Sequence, residues 1–145
     1  MGKKVFNGKC YFEPEVETQA ALASVGIYTF RYYPQDKIIM SSDYAVVYFG
    51  GEKFITDLKN NVYVNMALEK GKIQSLFEKI ENGSQKASTK FFTKEKGRAY
   101  KITVSVLEKD DLGKPVMAAG VIESIDKDIR QKEMIYALGS NFNSI

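Results

Sequence analysis

Residues 97–125, GRAYKITVSVLEKDDLGKPVMAAGVIESI, decide the reading of the fold. Tyr100, Ile102, Val104 and Val106 alternate with Lys101, Thr103 and Ser105, the period of a half-buried strand. Asp110-Asp111-Leu112-Gly113-Lys114-Pro115 then supplies a turn. Gly113 tolerates a positive φ, and Pro115 cannot donate to a ladder, so it belongs at a strand start. Residues 116–125 form a second strand that is apolar on both sides. Met117, Ala119, Val121 and Ile125 lie on one face, and Val116, Ala118, Gly120 and Ile122 on the other. Such a strand has to be covered on both faces. One cover is the domain's own core. The other is expected to be a flanking helix or a second subunit, with Gly120 and the alanines allowing a close approach.

Working outward, Asp126 caps an expected helix over 127–138, which Gly139 stops. On the other side, residues 85–93 read as a strand. Ile73, Leu76, Phe77 and Ile80 fall at i, i+3, i+4 and i+7, one apolar face of a helix. Gly71 weakens its first half by about 1 kcal/mol relative to alanine, which puts the start near Lys72. In residues 52–65, the least readable stretch, Phe54, Ile55 and Leu58 suggest one helical turn, and Asn60-Asn61 marks a break. Residues 27–32 and 37–41 form a hairpin about Pro34-Gln35-Asp36, and Ser42 is a candidate N-cap for a short helix over 43–49. Residues 13–24 read as a helix with Pro14 in its first turn and a small-residue face of Val16, Ala20 and Ala23. Residues 1–12 lack a period and read as a loosely packed lead-in. Strands in antiparallel runs, rather than alternating with helices, give an α+β class.

Composition bounds the chemistry. A chain of 145 residues, 44% of them hydrophobic, builds one core without staples. The net charge of +3 comes from intermingled lysines and glutamates, which is no nucleic-acid footprint. Lys90, Lys94, Lys96, Lys101 and Lys109 read either as a basic patch near one sheet edge or, equally well, as solvated surface and edge protection. Cys10 is the single cysteine, so no internal disulfide forms, and a reducing, cytoplasmic compartment is expected. No histidine is present, which excludes histidine-ligated haem, the usual zinc sites and Ser-His or Cys-His catalytic pairs. No run approaches the ~18 apolar residues of a membrane span, and no signal-peptide core opens the chain. Asp110-Asp111 reads as a solvated turn rather than an acid/base or metal pair, and Cys10 has only lysines nearby to activate it. No catalytic or metal site is identified.

The element order, together with Gly97…Asp111-x-Gly113-x-Pro115…Gly120…Ile125-Asp126, resembles the PAS family of sensory modules over residues 22–132. The family's exit aspartate and threonine are replaced here by Ser124 and Asp126, and its aromatic after the turn glycine by Tyr100. The resemblance implies a five-stranded antiparallel sheet in the order 2-1-5-4-3. Helices would enclose a pocket on one face, with further helices flanking at both ends. It divides the chain into a lead-in and flanking helix (1–24), a core domain (25–126) and a linker helix (127–145). Tyr136-Ala137-Leu138-Gly139-Ser140 echoes Ala20-Ala21-Leu22-Ala23-Ser24 and looks like the run-in to another such domain. The asparagine-cysteine-arginine-phenylalanine motif of the family's flavin light sensors is absent, which argues against cysteinyl-flavin photochemistry.

The function this implies is a non-catalytic bacterial sensor module. It would bind a small molecule or partner, form a homodimer, and signal through its terminal helices to an output domain outside this chain, such as a GGDEF-type cyclase or a histidine kinase. The alternative is a purely structural dimerisation module with a collapsed pocket. Tyr28, Tyr44, Tyr48, Tyr100 and Phe77 are the candidate pocket residues, because a buried tyrosine hydroxyl needs a partner that a ligand can supply. Met117, Ala119, Val121, Ser124 and Asp126 are the candidate dimer and signal face.

Overall fold

A computed structural model describes residues 2–58, 71–92 and 98–125 of the chain. It opens with a hairpin where a loose lead-in was expected. Strands β1 (Lys3–Phe6) and β2 (Lys9–Phe12) pair antiparallel about a two-residue turn. Asn7 and Gly8 take φ of 51° and 78°, and positive φ at both central residues is the turn geometry that matches strand twist. Next come α1 (Val16–Ala23), β3 (Ile27–Tyr33), β4 (Ile38–Ser41), a single 3₁₀ turn (Val46–Phe49) and β5 (Phe54–Ile55). After these follow α2 (Lys72–Glu81), β6 (Lys86–Phe92), β7 (Ala99–Lys109) and β8 (Pro115–Ser124). The main sheet is antiparallel and ordered β5-β4-β3-β8-β7-β6. Counted from β3, its five long strands run 2-1-5-4-3 as expected. The two-residue β5 extends the β4 edge.

One face of the sheet carries the core. Phe30, Tyr32, Ile39, Ile102, Val104, Ala118 and Ile122 meet Ile73, Leu76, Phe77 and Ile80 of α2. These are the four helix positions the period picks out, and the helix starts at Lys72. Ten residues are too few for a stable helix in water, so packing holds it. Each buried apolar side chain contributes about 1.5–3 kcal/mol to that docking.

The β7–β8 turn is organised by one carboxylate. Asp110 Oδ1 accepts the N–H groups of Leu112 (3.0 Å) and Lys114 (2.9 Å), and its Oδ2 accepts from the Gln35 side-chain amide at 3.1 Å. Gly113 takes the expected positive φ of 79°. The Lys114 N–H above all holds the Asp110 carboxyl below its ordinary value. A depressed carboxyl pKa stabilises the fold above the unfolded value of 3.8, and that contribution is lost as pH falls through the folded value. Asp110→Asn is therefore expected to lower the melting temperature at neutral pH and to flatten its fall in acid. An acid titration followed by circular dichroism checks both, and identical pH profiles for the two proteins contradict this role.

The opposite, outer face is covered over β3 and β4 by the β1–β2 hairpin. Tyr11 packs on Ile38 and Met40, with Tyr33 and Phe54 beside them. The Tyr11 and Tyr33 rings meet edge to face at 5.0 Å, and Phe6 meets Phe54 at 5.5 Å. The Tyr33 hydroxyl accepts the Phe12 N–H at 2.9 Å and donates to the Phe12 carbonyl at 3.2 Å. Tyr11 donates to Asp36 Oδ2 at 2.9 Å, and Lys9 also pairs with Asp36. The cover expected over β8 was a flanking helix or a second subunit, and over β3 and β4 it is the hairpin, not α1, that packs on the sheet. The predicted apolar face of α1 is largely open, with Val16 54% exposed, while Gln19 is buried instead. The Gln19 amide donates to the Pro14 carbonyl and accepts the Asp43 N–H at 3.1 Å. A polar staple thus holds this helix, because its alanines have little area to bury. Lys53 adds an ionic tie, reaching Glu13 at 2.5 Å and Asp43 at 2.7 Å. The expected helix over 127–138 lies outside the described residues.

Candidate functional site

The inner face of the sheet is lined by aromatic rings in two runs. In one, Phe91 stacks on Tyr100 with centroids 5.7 Å apart, Tyr100 meets Tyr48 at 5.3 Å, and Tyr48 meets Tyr28 at 5.7 Å. In the other, Phe49 meets Phe30 edge-on at 5.4 Å, Phe30 meets Phe77 at 6.3 Å, and Phe77 meets Tyr32 at 4.6 Å. Strand alternation produces this arrangement, since Tyr28, Phe30 and Tyr32 all point inward from β3. Within the second run, the far end of the Phe30 ring lies against its cross-strand neighbour Gly120. The close approach that Gly120 permits is therefore made by a core ring, and not by an outer cover.

The candidate residues sort clearly. Tyr28, Tyr48 and Tyr100 come together as one array, half-buried at Tyr28 and Tyr48 and buried at Tyr100. Phe77 sits in the other run, at a cleft of about 320 Å³ between α2 and the β4–β5 side. Tyr44 does not join them. It is 45% exposed, because the chain makes a 3₁₀ turn only over Val46–Phe49, and Tyr44 lies before it. An α-helix over 43–49 would have stacked Tyr44 and Tyr48 on one face at i and i+4.

The cleft beside Phe77 is also lined by Tyr32, Lys37, Asp57, Glu78 and Glu81. The Tyr32 hydroxyl donates to Glu81 Oε1 at 2.5 Å. Burial, and then this bond, push the Tyr32 phenol well above its ordinary value, so it stays a donor throughout the physiological range. The Tyr32–Glu81 link had no signal in the sequence, because the two residues lie 49 positions apart.

On the outer face, Met117, Ala119 and Val121 share one side of β8, with Met117 buried and the other two half-buried. Ser124 does not share it. Ser124 pairs with Tyr100, is 2% exposed, and follows Ala118, Gly120 and Ile122 on the inner face by strict alternation. Asp126 lies outside the described residues. Among the described residues no helix is long and apolar enough to cross a membrane.

No protein-family model and no curated protein matches the sequence. Solved structures do match the fold. An RNA-binding light-oxygen-voltage receptor superposes with a TM-score of 0.54 at 13% identity, over 74% of this chain and 34% of the receptor. This chain thus spans about a third of that protein. A sensory box histidine kinase/response regulator from Burkholderia thailandensis gives 0.53 at 12% identity, over 89% of this chain and 99% of that one. The sheet order, the position of α2 and these superpositions agree: this chain has the PAS fold.

Proposed function

We propose that this chain is a non-catalytic sensor module of a cytoplasmic signalling protein. It takes a small molecule at the Tyr28–Tyr48–Tyr100 end of its inner face and passes the change along β8 to an output domain outside this chain. The observation that carries this reading is the tyrosine array. Three tyrosine rings come together where the aromatic lining becomes half-buried. An apolar wall with a few hydroxyl tips suits a small organic ligand. Ser124 ends β8 directly opposite Tyr100, so occupancy of the array bears on the strand's exit. Native mass spectrometry of the freshly purified protein tests the proposal. A bound species of discrete mass, lost on Tyr48→Ala, is expected, and a bare chain in every charge state contradicts it.

The sensor works as a homodimer through the half-buried strip of Ala119 and Val121, flanked by Thr103 and Ser105 of β7. The small side chain of Ala119 lets two sheets approach closely there, and an aspartate in its place buries an unpaired charge. Ala119→Asp is expected to halve the mass seen by light scattering, with the circular dichroism spectrum unchanged. A dimer of unaltered mass removes this face from consideration. Should the inner face prove empty while the dimer holds, the purely structural module is the reading that remains.

A further inference from the structure

A cleft of about 460 Å³ opens on the outer face, between β2 of the N-terminal hairpin and the β3–β8 pair. Its walls are largely apolar or aromatic: Tyr11, Tyr33, Val116 and Met117. Four charged side chains also line it, and they are not equivalent. Lys9 and Asp36 pair with each other, and Asp36 accepts the Tyr11 hydroxyl as well, so that carboxylate is occupied. Gln35 gives its amide to Asp110. Glu108 sits exposed toward the β7–β8 end. Arg31, like Glu108, makes no ion pair or hydrogen bond among the described residues, but of the four it alone is half-buried. Its direct neighbours in the ladder, Met40 on β4 and Ala119 on β8, have no side-chain oxygen to offer.

Arg31 lines the cleft with its fork unengaged by any described side chain, and a planar guanidinium matches a carboxylate better than any other group. We infer that this cleft is a binding site for a small organic monocarboxylate, with Arg31 holding the carboxylate and Tyr33 and Met117 flanking an apolar body. The volume falls within the range of small-molecule sites. The occupant carries a single negative charge, because Glu108 on the same cleft repels a second. This site is separate from the tyrosine array, on the other side of the sheet, and stands or falls independently of it.

The probe is 3-phenylpropionate, with 3-phenylpropionamide as its neutral counterpart. Cys10 is the only cysteine, is exposed and lines the cleft, so its alkylation by iodoacetamide reports occupancy. Calorimetry on the full chain is expected to show saturable binding of the acid, about tenfold weaker for the amide and for the acid on Arg31→Gln. The acid is expected to slow Cys10 alkylation in the native chain and to leave it unchanged in Arg31→Gln. Should Arg31→Gln fail to fold, the acid–amide comparison and the alkylation rate on the native chain decide alone. Equal binding of acid and amide, binding that leaves the Cys10 rate unaltered, or no saturable binding of the acid overturns the inference.

Discussion

Gly120→Ala is expected to lower the unfolding free energy by about 3 kcal/mol, the upper end of what overpacking a core costs. A Cβ built on Gly120 would stand 2.1 Å from Phe30 Cζ and 2.3 Å from its Cε2, inside any tolerable contact. The ring has nowhere to go. Phe30 is 1% exposed and is clasped by Phe49 at 5.4 Å and Phe77 at 6.3 Å. The sign of the effect is diagnostic, because glycine in an unobstructed strand is the weaker residue and alanine would stabilise by about 0.5–1 kcal/mol. Phe30→Leu removes the obstruction, so adding Gly120→Ala to that background is expected to cost less than about 1 kcal/mol. Urea unfolding of the four proteins in the cycle measures this. Additive losses would falsify the account of Phe30 lying on Gly120.

Tyr11→Ala is the second large effect, and a local one. Tyr11 is 3% exposed and brings its bond to Asp36 together with ring contacts to Tyr33 at 5.0 Å and Phe54 at 5.9 Å. Truncating a buried aromatic costs about 3–5 kcal/mol in an intact core. A hairpin of two four-residue strands is marginal alone, so the loss stops where the hairpin comes away. Amide exchange is therefore expected to accelerate by about a hundredfold or more across β1, β2 and the Phe12 N–H, the donor to Tyr33. The amides of β7 are expected to keep their protection. Equal acceleration in β1 and β7 would show that the hairpin is no separable cap.

Alkali acts at the same place. Burial, and next the Asp36 bond, push the Tyr11 phenol up to about 12 from 10.0. A raised pKa stabilises the docked state fully below 10.0, and that contribution is lost as pH climbs through about 12.

Where the sequence was legible, a repeating burial pattern made it so. α2 shows its buried face at i, i+3, i+4 and i+7, and β7 and β8 alternate over seven residues or more. The N-terminal hairpin has no such pattern. Every residue of β1 is exposed, and β2 buries Tyr11 alone, so no period betrays it. Its one signal is Asn7-Gly8, the dipeptide that a two-residue hairpin turn prefers.

The site was legible in part for the same reason. Tyr28 and Tyr100 lie on strands whose parity fixes their direction, and Tyr48 joins them from the 3₁₀ turn. Tyr44 was misplaced because three residues per turn, rather than 3.6, and a late start put it outside. For Ser124, alternation from Ala118, Gly120 and Ile122 already pointed inward, and its place at the strand exit obscured that. The ties of Gln19 to Asp43, of Lys53 to Glu13 and of Tyr32 to Glu81 join distant stretches, and no local pattern encodes them.

We propose that occupancy of the inner tyrosine array is felt on the outer face, since β8 pairs with both β3 and β7 and turns Ala119 and Val121 outward. A ligand shifts an equilibrium only by its differential affinity for the two states, about 1.4 kcal/mol for each tenfold change. The direct measurement is the dimer dissociation constant, by sedimentation equilibrium, on protein as purified and on protein stripped of small molecules by unfolding, dialysis and refolding. With matching circular dichroism spectra, the two constants are predicted to differ by about tenfold. Identical constants would contradict the claim.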